Sequence, residues 1–218
     1  MYSLPYFKED DQEVVLRFMH QHPFVMICGS DRNGKPVATQ VPVLIKERDG
    51  YIFLEGHVMK NTDHHKAFVQ NSQALAVFTG AHTYVSASWY SNPNQASTWN
   101  YLSVHAHGKI SFLDESGLRR ILEETTSKYE KNENSPSSFR HLKAEYIGGL
   151  IKAIVGFELK VDGIENVFKL SQNRDEKSFN TIMEKLYAQD EDGRKIAAEM
   201  ERIKDELFNN SPKANQIP

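Results

Sequence analysis

Between residues 24 and 58 the chain alternates β-rich runs with Asx-Gly turns, and no other feature limits its fold as strongly. The runs are FVMICG (24–29), PVATQVPVLI (36–45) and YIFLEGHV (51–58), separated by Asn33-Gly34 and Asp49-Gly50. These dipeptides accept the positive φ values that tight hairpin turns demand, so neighbouring runs are expected to pair antiparallel as a meander. Further strand-like sequence follows at 74–80 (ALAVFTG), 81–90 (AHTYVSASWY), 98–113 with a bend near Gly108, and 154–172. Six or more antiparallel strands with short turns predict a mainly β domain with flanking helices, an α+β barrel or sandwich.

Helical sequence surrounds these runs. Residues 10–22 place Val14, Val15, Phe18 and Met19 on one face before Pro23 ends the helix. A short helix is expected over 61–73, capped by Thr62 or Asp63, and longer ones over 114–131 and about 139–150. From Asp175 onward the chain reads as helical. There Ile196, Met200, Ile203 and Leu207 form a seam that must cover apolar surface on its own subunit or a partner's.

Charge narrows the partners. The formal net charge is −3, and residues 190–209 hold seven acidic against four basic side chains, a poor match for a helix lying in a DNA groove. No apolar run reaches the roughly 18 residues needed to span a bilayer, and the start MYSLPYFKEDD lacks the form of a signal peptide, so no membrane partner and a cytoplasmic location are expected. The single cysteine, Cys28, lies in an apolar run and reads as a small core residue.

Phosphate-binding glycine loops, nucleophile elbows and His-Glu-x-x-His pairs are missing, so any chemistry would fall to a cofactor. His57, His64, His65, His105 and His107 lack regular ligand spacing, and no metal is expected. Two regions are more informative. FLEGHVMKNTDHHK supplies His57, Lys60, Asn61 and Thr62 where a strand passes into a helix, a place suited either to a phosphate or simply to a polar loop with a helix cap. FTGAHTYVSASWY and TWNYLSVHAHG bring Trp89, Tyr90, Trp99 and Tyr101, which either wall a planar ring or belong to a core or interface.

From Met1 to Asn173 the chain resembles the PaiB family, FMN-binding-domain proteins named for a negative regulator of protease synthesis and sporulation. The resemblance is carried by Met1-Tyr2 with Pro5 and Phe7, Ala38-Thr39 with Pro42, Gly56-His57-Val58, the two aromatic blocks just quoted, and IVGFELKV with KLSQN at 169–173. It implies an FMN-binding split β-barrel over residues 1–173 that pairs as a homodimer; beyond it the residues themselves read as a helical extension over 174–210 and a disordered tail at 211–218. It also implies a flavin phosphate at Lys60 and Thr62 with the backbone after Gly56, an isoalloxazine edge facing Thr39 and Gln40, and a pocket closed by Trp99 and Asn100, with His57, Asn61 and Trp89 nearby. Family members carry arginine where this chain has Lys60. The function so implied is negative transcriptional regulation. A flavin-dependent oxidoreductase or flavin reductase using the same pocket is the alternative, with His57, His105 and His107 as proton donors, and DNA enters only through the resemblance.

Overall fold

The computed structural model describes residues 1–2, 4–92, 94–132 and 135–209, so the expected tail at 211–218 lies outside the described residues. In chain order the elements are α1 (Gln12–Gln21), β1 (Phe24–Ser30), β2 (Pro36–Pro42), β3 (Leu44–Arg48), β4 (Tyr51–Met59), α2 (Asp63–Gln70), β5 (Gln73–Val85), β6 (Thr98–Phe112), α3 (Glu115–Glu130), α4 (Ala144–Ala153), β7 (Ile154–Lys169), α5 (Glu176–Tyr187) and α6 (Glu191–Phe208). Short 3₁₀ turns occupy Pro5–Phe7, Ala87–Trp89 and Phe139–His141.

Both Asx-Gly turns close antiparallel hairpins, β1 with β2 and β3 with β4. Asp49 and Gly50 both take left-handed φ, 52° and 77°, as a type I′ turn requires. At the first hairpin the Asp31 carboxylate accepts from the Asn33 and Lys35 amides at 2.8 and 3.0 Å, leaving the left-handed φ of 80° to Gly34.

The strands form one seven-stranded sheet in the order β2-β1-β5-β6-β7-β4-β3. β2 and β3 stand at its two edges, yet only Val43 separates them in the chain. The run 36–45, expected as one strand, is therefore two strands, and the sheet curls to bring its edges together. Residues 74–90, expected as two strands, instead form β5 as far as Val85 and then the Ala87–Trp89 turn. β6 runs through Gly108, where a Cβ would come within 2.0 Å of the Lys160 carbonyl oxygen, so the glycine answers close backbone approach.

The chain makes two compact units. The first comprises residues 1–18, 79–104 and 165–218, the second residues 19–78 and 105–164. In the second unit Val25, Ile27, Leu54, Phe157 and Leu159 are fully buried. Cys28, one position out of phase with Val25 and Ile27, is half-buried instead of in the core, and burial pushes its thiol pKa up. In the first unit α5 and α6 pack together through Phe179, Ile182, Leu186, Ile196 and Met200, all fully buried. The seam thus covers its own chain at Ile196 and Met200, and turns half-buried at Ile203 and Leu207. Among the described residues no helix is long and apolar enough to cross a membrane.

Candidate functional site

In the second unit, β4 ends at Met59 and α2 begins at Asp63, and the three residues between them carry most of the predicted phosphate site. Asn61 takes a left-handed φ of 65°, which asparagine tolerates better than most residues and which turns the chain from strand into helix. Thr62 is the N-cap: its hydroxyl accepts from the His65 amide at 3.3 Å and donates to the Met59 carbonyl at 2.9 Å. Asp63 follows at the first helical position, where its carboxylate accepts from the His64 amide at 2.7 Å. That bond and the nearby charges of His64 and Lys35 hold the Asp63 carboxyl below the usual range.

Lys60 is half-buried and its ammonium donates one bond, 3.1 Å to the Ile151 carbonyl. An ammonium has three donors, so two remain for a ligand. The Asn61 amide donates to His65 Nδ1 at 3.2 Å, and His64 Nε2 lies 3.0 Å from the Thr62 hydroxyl. Burial lowers the His65 pKa, and the charges of His64, Lys60 and Lys66 lower it further. Lys60 and Lys66 bring positive charge to this junction, and two ammonium donors with the Asn61 side-chain amide fit a phosphate in charge and in donor type.

The other expected residues fall in different places. Thr39 and Gln40 are successive residues of β2 and point to opposite faces: Thr39 lies opposite buried Ile27, Gln40 opposite exposed Met26. One ligand face can therefore take one of these side chains. Thr39 shares its face with Val37 and Val41, and that face of β1 meets Phe68 of α2 at Gly29. His57 is half-buried on β4 opposite Gly156, and burial holds its imidazole below the usual histidine range. Gly56 is spaced for packing: a Cβ there would lie 2.9 Å from the Phe157 ring and 3.0 Å from the Pro42 carbonyl.

Trp89, Trp99 and Asn100 belong to the first unit. Trp89 is half-buried in its 3₁₀ turn, and Trp99 is 53% exposed with the His82 and Tyr84 rings at 6.2 and 6.0 Å. Asn100 is fully buried. Its amide donates to Ser171 Oγ at 2.9 Å and its carbonyl accepts from the same hydroxyl at 3.1 Å, so it holds a turn in place.

Sequence reading missed one charged cluster in the second unit. Glu55, fully buried on β4, accepts two bonds from Arg120 at 2.7 and 3.0 Å, with Arg48 at 3.6 Å. Only its odd position among apolar neighbours in FLEG hinted at this, since the partners come from β3 and α3. Among the described residues no group of three or more His, Cys, Asp and Glu is gathered for a metal.

Comparison with known proteins converges on one family. Residues 1–163 match the FMN-binding-domain family. Protease synthase and sporulation protein PAI 2 of Bacillus subtilis is 34% identical over 200 residues, covering 92% of this chain and 96% of that protein. An uncharacterized protein of Emericella nidulans is 27% identical over 150 residues, covering 55% of this chain and 60% of that protein. Among solved structures, the FAD and heme binding protein of Mycobacterium smegmatis superposes with a TM-score of 0.56 at 16% identity, covering 75% of this chain and 73% of its own. A flavocytochrome of Azotobacter vinelandii gives 0.54 at 17% identity, covering 83% and 78%. At such identities the likeness is one of fold, the curled antiparallel split barrel that the family resemblance implied and that the strand pattern had narrowed only to a barrel or sandwich. The chain therefore belongs to the FMN-binding-domain family, and FMN is its cofactor.

Proposed function

We propose that the chain is a homodimeric flavoprotein of the PaiB type that anchors the FMN phosphate at the β4–α2 junction, with Lys60 as the cation. The observation that carries this reading is the pair of unspent donors on the half-buried Lys60 ammonium at the N-terminus of α2, amid the charges of Lys66 and His64. Asn61 adds its side-chain amide, Thr39 lies on the β2 face turned toward α2, and Thr62 keeps the junction in shape through its cap. Bound FMN supplies redox chemistry, and the residues of this chain bind and orient it.

Substituting Lys60→Ala should weaken FMN by about 1.5–3 kcal/mol, the worth of a charged hydrogen bond, and leave riboflavin nearly unaffected. Lys60→Arg should hold or improve affinity, because a guanidinium offers a fork to the phosphate. Flavin fluorescence quenching measures both; equal losses of FMN and riboflavin in Lys60→Ala would place the phosphate elsewhere.

Pairing is supported by apolar side chains left in the open. On the outward face of β1, Phe24 is 62% and Met26 is 42% exposed, beside half-buried Val77 on β5. Phe24→Glu with Met26→Lys should therefore yield a 25 kDa monomer by light scattering; an unchanged dimer moves the interface off this face. The Bacillus relative's name links it to protease synthesis and sporulation, and we extend a negative regulatory role to this chain. With seven acidic and four basic residues over 190–209, that role runs without direct reading of DNA. A nanomolar gel shift at physiological salt that survives competitor DNA would reverse this view.

A further inference from the structure

In the second unit, the corner where β4 passes into α2 is tied to another element, α4. That helix runs into β7 with no loop between them, ending at Ala153 where β7 begins at Ile154. Ile154 lies opposite Met59 on the β4–β7 ladder, so the end of α4 arrives beside the residue after Met59, which is Lys60. Lys60 makes two bonds to that end. Its backbone amide donates to the Ala153 carbonyl at 2.9 Å, and its ammonium donates to the Ile151 carbonyl at 3.1 Å. A helix leaves its last four carbonyls without intrahelical partners and its C-terminus partly negative. One residue of the phosphate corner therefore satisfies two of these carbonyls and sets a positive charge on the helix end.

The rest of α4 is lightly held. It has ten residues, too few for a helix to persist on its own propensity. Its interior carries Gly148 and Gly149, and a Cβ on either would meet nothing within 4 Å, so close packing does not require them and each weakens the helix relative to alanine. α2, α3, α5 and α6 each open on a capping side chain, whereas Lys143 at the start of α4 makes no such bond. Ile147 and Ile151 are its buried residues, packed with Leu118 of α3. α4 thus depends on that apolar pair along its length and on Lys60 at its end.

Lys60 stands between a helix and a ligand. Two of its ammonium donors remain for a phosphate while the third keeps the Ile151 carbonyl. Fixing a lysine head costs rotamer freedom, whichever partner fixes it. A phosphate that orders the ammonium removes that freedom beforehand, so the bond to α4 then forms at lower cost. Conversely, an α4 already in place presents the phosphate with an ammonium already held. By linkage the two effects are equal in size.

We propose that α4 registers flavin occupancy: filling the phosphate corner tightens α4 through Lys60, and emptying it lets the helix fray. α4 can do so only if the FMN phosphate is held at Lys60, as proposed for this site. The signal is carried by the phosphate, so riboflavin, which lacks one, fills the pocket without tightening the helix. The surface whose order changes is the outer face of α4, where Tyr146 is exposed.

Hydrogen exchange read by mass spectrometry tests this on flavin-free protein and at saturating FMN or riboflavin. Amides over 147–154 should exchange at least about threefold more slowly with FMN and at an unchanged rate with riboflavin. In Lys60→Ala the same amides should exchange faster without flavin and gain nothing from FMN at concentrations that fill the site. The reciprocal test breaks the helix away from the pocket. Gly149→Pro should weaken FMN by about the factor of protection gained and leave riboflavin affinity unchanged. Ile147→Ala loosens α4 from α3 without a proline and should shift FMN affinity in the same direction by less. Circular dichroism establishes that the variants are folded. If Lys60→Ala weakens FMN and riboflavin equally, the phosphate lies elsewhere and the role of α4 falls with the anchor. If that loss is selective for FMN, yet α4 exchanges as fast or faster with FMN bound or Gly149→Pro leaves FMN affinity intact, the anchor stands and the proposal for α4 alone is overturned.

Discussion

The β4–α2 junction and the β7–α5 turn are built from the same local parts and behave as opposites. In each, a strand ends beside a lysine, a left-handed residue other than glycine turns the chain, and a side-chain oxygen caps the next helix. The pairs are Lys60 and Lys169, Asn61 (φ 65°) and Ser171 (φ 64°), Thr62 and Asp175. Asn61 is exposed and its side chain is uncommitted, whereas Ser171 is 2% exposed and spends its hydroxyl on Asn100. The first junction can adjust to a ligand. The second cannot move without breaking a buried hydrogen-bond pair, so its geometry is fixed by a contact from outside the turn. Local chain grammar makes the corner, and a distant residue decides whether it is rigid.

The largest effect expected of this comparison comes from removing the lock. Asn100→Ala strands the Ser171 hydroxyl in the core and should lower stability by about 2–3 kcal/mol, read from urea denaturation. A double-mutant cycle with Ser171→Ala should show strong coupling between the two. If Asn100→Ala costs no more than an exposed asparagine would, the rigid half of the comparison collapses.

A smaller effect of opposite sign separates the corners more sharply. Glycine relieves the cost of a left-handed φ, so Asn61→Gly should be neutral or stabilising by up to about 0.5 kcal/mol. Ser171→Gly gains the same relief yet loses both bonds to Asn100, and should be destabilising by about 1 kcal/mol. Thermal melts of the two variants that shift in the same direction would show that Asn61 also has a hidden partner.

The smallest effect concerns acid. For Asp175, burial raises the pKa but bonds from the Ser178 hydroxyl and amide and from Ser91 outweigh it, so the carboxyl sits below its ordinary value. The Asp63 carboxyl is also depressed, chiefly through the His64 amide. A depressed carboxylate stabilises the fold above its unfolded pKa, about 3.9, and that contribution is lost as pH falls through the folded value. Asp175→Asn should thus flatten the loss of stability below about pH 4 more than Asp63→Asn does, because Asp175 alone bonds two hydroxyls and helps tie Ser91 to α5. Denaturation midpoints at pH 5 and pH 3 give the comparison.

The local geometry of the candidate phosphate corner was legible in sequence because its parts are neighbours. Lys60, Asn61 and Thr62 stand within three positions, and the cap follows from a threonine ahead of a helix. The lock on the β7–α5 turn was not legible. KLSQN drew attention only as a block of family resemblance, and its rigidity needs Asn100, which lies 71 residues before Ser171. The same limit hid the Glu55 cluster, whose guanidinium from Arg120 is sixty-five residues away.

Two Asp-Gly pairs mark the boundary between what sequence alone determined and what tertiary structure decided. Asp49-Gly50 was read as a turn and is one, with both φ values positive. Asp162-Gly163 has the same chemistry and runs straight on within β7, with neither residue at positive φ. Alternation, caps and the mainly β composition act over a few residues and were settled by the chain itself. The break at Val43, the unbroken β5, the partner of each buried charge and the rigidity of each corner depend on what lies alongside. A strand's bonds and a buried charge's counter-ion are supplied by residues far away in the chain, and their burial outweighs a local turn preference worth about 1 kcal/mol or less.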